Sequence, residues 1–125
     1  MVRIAICDEK KMFKNYVIIE GIDGCKQKRE KIDIQYIGSE GIYTILYMDT
    51  GEKIVVRKSL KEWEKELPKI MFIRIHRSHI VNLKYVKKIS EYIWLKNGKK
   101  LKISHGKVKE VKRLYNKYIV YFDYN

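Results

Sequence analysis

The sequence predicts a mostly β fold, antiparallel β-sheets accompanied by one short and one longer helix. Short apolar runs, several of them alternating, recur between Gly, Asn and Asp turn signals, most clearly at residues 32–37, 42–48 and 53–57. Asn97-Gly98 stands between two such runs and is the strongest short hairpin signal. Helical spacing is confined to two stretches, Leu60, Trp63 and Leu67 in one, Val108 to Ile119 in the other.

In chain order, residues 1–10 read M-V-R-I-A-I-C-D-E-K, a strand-like run ending in the acidic pair Asp8-Glu9. This opening resembles the first strand of a response-regulator receiver, and Asp49 could be offered as its phosphoacceptor. A receiver would use nearly all of a 125-residue chain, and no alternating strands and helices follow Asp49. Residues 1–15 are therefore expected to be a receiver-like remnant, disordered or added as a strand, and 16–125 the functional domain. Residues 16–20 read as a strand, 21–24 as a turn, and 25–31 as a loop or one helical turn. Strands over 32–37, 42–48 and 53–57, with turns at 38–41 and 49–51, make an antiparallel meander. Ser59 and Glu62 form a capping box that starts the short helix, and Pro68 ends it.

The central stretch, residues 72–82, reads F-I-R-I-H-R-S-H-I-V-N. Ile73 and Ile75 point one way and Arg74 and His76 the other. Alternation then fails at His76-Arg77-Ser78, which implies a bulge or bend that re-aims these side chains. Imidazole, guanidinium and hydroxyl groups suit phosphates and base edges, although a polar strand end that merely meets water has the same composition. Residues 82–88 read as a turn or short helical piece. A two-residue Asn97-Gly98 turn would set Trp94 opposite Leu101 and Tyr92 opposite Ile103, with Ile93 and Leu95 on the other face. Ser104 is a candidate N-cap, with His105, Gly106 and Lys107 in the first helical turn, and 121–125 is a polar-aromatic tail.

Charge is placed unevenly. Residues 1–68 hold 13 Lys/Arg against 12 Asp/Glu, whereas residues 69–117 hold 15 Lys/Arg against only Glu91 and Glu110. The net charge of +13 thus belongs to the second half, which points to a polyanion, nucleic acid before membrane surface. No apolar run is long enough to span a bilayer, and the N-terminal run is too short for a signal peptide. Cys7 and Cys25 are isolated thiols, and a reduced cytoplasmic setting is expected. His76 and His79, three apart on a strand, would face opposite ways and make no metal pair. No P-loop, GxGxxG, G-x-S-x-G or CxxC is present, so neither an enzyme, a cofactor nor a small-molecule substrate is expected.

F-I-R-I-H-R-S-H-I-V-N, preceded by S-L-K-E-W-E-K-E-L and followed by the Asn-Gly hairpin and L-K-I-S-H-G-K, resembles a LytTR-type DNA-binding domain. D-I-Q-Y-I-G-S-E-G-I-Y-T-I resembles that family's opening strand and loop, and the likeness runs from about Tyr16 to Ile119. It implies a sheet-rich domain that reads the major groove of double-stranded DNA through loops, as a transcriptional regulator without enzymatic activity. It also allows a homodimer on repeated sites. In such domains three places contact bases, which implies Tyr43, Arg77 and His105 here. Thr44, His76, Ser78 and Lys107 are the neighbours expected at phosphates. The rival expectation is a basic β-module for RNA or single strands, with tyrosines as stacking platforms.

Because lysines and arginines at phosphates release counterions, affinity for nucleic acid should fall steeply with salt. A log–log slope near zero in titrations from low to moderate salt would contradict the reading of the charge excess.

Overall fold

The computed structural model describes residues 14–123; residues 1–13 of the receiver-like stretch expected at 1–15, with Asp8, lie outside the described residues. Among the described residues, three antiparallel sheets make up the β structure. β1 (Tyr16–Glu20) and β2 (Lys26–Glu30) form a hairpin. A five-stranded sheet runs in the order β5 (Lys53–Val56), β4 (Tyr43–Met48), β3 (Ile34–Glu40), β7 (His79–Asn82), β6 (Phe72–His76). A three-stranded sheet runs β10 (Lys100–Lys102), β9 (Tyr92–Leu95), β8 (Val86–Ile89). Helix α1 spans Leu60–Glu66 and helix α2 spans Val108–Tyr118.

Strand alternation divides the core into two apolar layers, one on each face of the five-stranded sheet. Ile37 pairs with Leu46 and with Ile80, and Leu46 with Ile54, so these side chains form one row. That row packs with Val17 and Ile19 of β1 and with Leu60, Trp63 and Leu67 around α1. The opposite row, Tyr36, Val81 and Ile73, packs with Ile93, Leu95 and Leu101 of the smaller sheet, with Ile103 just beyond it, and with Val111 and Tyr118 of α2. Tyr36 stacks on Tyr47 with ring centroids 4.1 Å apart.

Helix α1 is too short to persist on its own, and its ends are fixed locally. Glu62 N–H donates to Ser59 Oγ (3.1 Å) and Ser59 N–H to Glu62 Oε1 (3.2 Å), the capping box expected. The helix delivers Trp63 into the core with no exposed surface, and its indole N–H donates to Thr44 Oγ1 at 2.9 Å.

Several elements differ from expectation. Residues 26–30 form strand β2 rather than a loop or helical turn, because they pair fully with β1 and have only one side to bury. β3 begins at Ile34, after a 3-10 turn (Lys31–Asp33), and runs on to Glu40, into the expected turn at 38–41. The turn or short helical piece expected over 82–88 is a 3-10 turn at Leu83–Tyr85, but it is shorter than expected because strand β8 follows at Val86. The Asn97-Gly98 hairpin closes with three loop residues, not two: Leu95 N–H donates to Lys99 C=O (2.8 Å) and Gly98, at φ +93°, sits in the left-handed region. That one-residue change pairs Ile93 with Leu101 and Trp94 with Lys100, so Tyr92 and Trp94 face outward and Ile93 and Leu95 inward. Helix α2 starts at Val108, not after Ser104, and continues as a π-helical turn (Ile119–Asp123) into the expected tail.

Thr44→Val should destabilise the domain by about 1–3 kcal/mol, since it leaves the buried Trp63 N–H without an acceptor. Thr44→Ser, which keeps the oxygen, should retain most of that stability; urea melts in which Val costs no more than Ser would remove the hydrogen bond from the account.

Candidate nucleic-acid interface

Three turns meet at one end of the five-stranded sheet. β3 and β4 close over Gly41-Ile42, with Glu40 paired to Tyr43. On the next strands, β6 and β7 close over Arg77-Ser78, with His76 paired to His79 and the register shifted between Arg74 and His76. The expected break in alternation is therefore a tight turn preceded by a bulge. Ser39 N–H donates to Ser78 C=O at 2.9 Å, which ties the first turn to the second. Ser104 N–H donates to Ile75 C=O at 2.8 Å, which brings the turn before α2 to the same place.

The turn carrying Arg77 is braced from below. Arg74 donates from Nη1 to Glu64 Oε1 of α1 (2.9 Å) and from Nη2 to the Arg77 carbonyl (2.8 Å). Ser78 N–H donates to His76 Nδ1 at 3.1 Å. With its backbone so held, the exposed Arg77 side chain makes no hydrogen bond or ion pair among the described residues. Arg74 was visible in the sequence only as an outward strand residue; its partner Glu64 lies on another element, so no spacing announces the brace.

In the third turn Lys107 N–H donates to Ser104 C=O at 3.0 Å, and Gly106 at φ +88° takes a conformation that keeps these residues out of the helix. Ser104 to Lys107 thus precede α2, and Lys107 itself occupies the N-cap without a side-chain cap. His105 and Lys107 are exposed. Lys107 also lines a cleft of about 350 Å³ with Arg74, Glu64 and Glu110, so the brace and the approach to α2 share one wall.

Of the seven residues singled out from sequence, the structure gathers six at this end: Tyr43, His76, Arg77, Ser78, His105 and Lys107. Thr44 is the exception. It is 1% exposed and its hydroxyl serves Trp63, so it does not face a phosphate; the alternation of β4 turns it into the core. His76 and His79, expected on opposite faces, are cross-strand partners with rings 6.0 Å apart, because the turn folds the segment back on itself. Among the described residues no group of three or more His, Cys, Asp or Glu side chains is placed to hold a metal ion.

His79 lies behind the turns with its ring 6.1 Å from that of Tyr36. Burial, and then the nearby His76 and Lys99, lower its pKa. Burial above all, with Tyr47 beside it, pushes Tyr36 up to about 12, so that phenol stays neutral.

The LytTr DNA-binding domain family matches residues 30–116 of the chain, a span that includes all three turns. The chain belongs to the LytTr DNA-binding domain family. It is 36% identical over 89 residues to the sensory transduction protein LytT of Bacillus subtilis, covering 66% of this chain and 36% of that protein. It is 32% identical over 82 residues to the transcriptional regulatory protein LytR of Staphylococcus aureus, covering 61% and 33%. The chain therefore spans about a third of these relatives' length. The LytTr DNA-binding domain of a Bacillus cereus methyl-accepting/DNA response regulator superposes with a TM-score of 0.70 at 26% identity, over 81% of this chain and 96% of that one. The family match takes in the five-stranded and three-stranded sheets and the three turns. β1 and nearly all of β2 precede the family match.

The lowered pKa of His79 has a sign. The unfolded chain takes up this proton in the ordinary histidine range and the folded chain only at lower pH, so native stability falls as pH drops through that range. Thermal melts between about pH 7.5 and 5.5 should show it. The lowered carboxyl of Glu62, held by Ser59, costs stability only at still lower pH. His79→Phe should flatten the profile; an equally steep one would assign the effect elsewhere.

Proposed function

We propose that this LytTr domain binds double-stranded DNA sequence-specifically and regulates transcription, presenting its three turns to the major groove. The observation that carries the reading is the meeting of the turns at 41–42, 77–78 and 104–107 at one sheet end, fixed by the Ser39–Ser78 and Ser104–Ile75 hydrogen bonds. Arg77 reaches base edges, where a guanidinium meets guanine O6 and N7 with two hydrogen bonds. Tyr43 and His105 flank it as further base contacts. Lys107, with His76 and Ser78, meets phosphates; Lys107 lies where α2 begins, and the unpaired amides of a helix N-terminus favour the same anion. Arg74 positions the reading turn without touching DNA.

The excess of Lys and Arg in residues 69–117 supports a polyanion partner. No described helix is long and apolar enough to cross a membrane. The proposed setting is the cytoplasm, and two copies on repeated sites form part of the proposal. Neither catalysis nor a small-molecule substrate enters it.

Arg77→Ala should lower affinity for a selected duplex by about 1–3 kcal/mol, far more than for a scrambled one. Lys107→Ala should weaken both alike and reduce the salt slope by about one unit. Thermal melts beside the titrations establish that both variants are folded. A folded Arg77→Ala that keeps its full preference for the selected duplex would remove Arg77 from base readout.

A further inference from the structure

The outer face of the three-stranded sheet has no part in the duplex reading. Cross-strand register sets Lys88, Trp94 and Lys100 in one row and Tyr92 and Lys102 in the next. Tyr92 and Trp94 are partly exposed, with centroids 5.9 Å apart. Lys100 Nζ lies 4.1 Å from the centre of Tyr92 and 5.4 Å from that of Trp94, and Lys88 Nζ lies 4.8 Å from Trp94. Lys87 and Lys96 are exposed and lie close by in sequence, as does the exposed carboxylate of Glu91.

We propose that this face is a second nucleic-acid site, which takes an unpaired strand. Bases stack on an aromatic face whatever their sequence, and lysines beside the rings collect the phosphates between the bases. The two rings lie 5.9 Å apart with their planes inclined at 58°, so each offers its own face to a separate base. The lysines lie over the rings themselves. Binding exchanges those cation–π contacts for base stacking and moves each ammonium outward to a phosphate. Lys100, shared by both rings, meets the phosphate between two stacked bases. A duplex cannot use such a platform, because its bases are already stacked and paired.

Tryptophan fluorescence offers a direct readout, since Trp63 has no exposed surface and Trp94 does. Purified protein is titrated with fluorophore-labelled oligo-dT, oligo-rU and a duplex of equal length, with inorganic polyphosphate as a competitor. Single strands should quench Trp94, and the tighter of dT and rU identifies the kind of strand. Tyr92→Leu/Trp94→Leu should lower single-strand affinity about tenfold or more by anisotropy while leaving duplex affinity unchanged. Trp94→Phe, which keeps a ring, should retain most of the binding. Circular dichroism melts establish folding, and if the double variant unfolds, Trp94→Phe and Lys100→Gln carry the comparison. Single-strand binding unchanged in a folded double variant would overturn the proposal. So would equal losses for strand and duplex, or full displacement of oligo-dT by polyphosphate at matched charge. Failure of Arg77→Ala to relax duplex preference would leave this result untouched, so the two sites stand or fall separately.

Discussion

The pairing of β3 with β7 is the contact on which the arrangement depends. Tyr36, Ile37 and Gly38 align with Val81, Ile80 and His79, joining two hairpins that are far apart in sequence. Asn82 locks that register from a fully buried position. Its Nδ2 donates to the Ile34 carbonyl at 2.9 Å, and its Oδ1 accepts from Lys84 N–H at 3.0 Å. One amide thus fixes where β7 lies on β3 and turns the chain toward the smaller sheet. A slip of one residue would exchange the two faces of β7 and separate Ser78 from Ser39. The last residue of the F-I-R-I-H-R-S-H-I-V-N stretch is structural, while its middle is exposed; the proximity of the two in sequence follows from that division of labour.

Around this register the polar groups are arranged so that the exposed cations rest on rigid supports. Arg74 spends both its guanidinium arms on Glu64 and the Arg77 carbonyl, which leaves Arg77 free to point outward. A recognition side chain held on a braced turn loses less conformational freedom when it binds than one on a loose loop. Helix α1 gives Glu64 to the brace and Leu60 and Trp63 to the core, and its capping box matters because a helix of this length is marginal on its own.

Where the determinants were local, they were legible in the sequence. The capping box at Ser59 and Glu62, the helical stripe of α2 and the broken alternation at His76-Arg77-Ser78 each depend on residues within one turn of one another. What failed depended on distant partners or on one backbone torsion. Thr44 looked like a surface hydroxyl because Trp63, whose indole N–H donates to its Oγ1, lies 19 residues away. The Asn97-Gly98 hairpin was placed correctly but paired one residue out, since the two-residue closure needs positive φ at Asn97 as well as Gly98 and the observed three-residue closure only at Gly98. That error hid the Tyr92 and Trp94 face, which the observed register turns outward. Strand β2 was missed because its polar, basic composition carries no apolar alternation.

The central claim is spatial: duplex DNA meets the sheet end formed by the three turns. Backbone amide NMR of the labelled domain, titrated with a duplex selected from random sequences, tests it most directly. Perturbations concentrated at residues 40–43, 76–79 and 104–108 are the predicted result. Perturbations centred on α1 or on the outer face of β8, β9 and β10, with those turns unaffected, would contradict it.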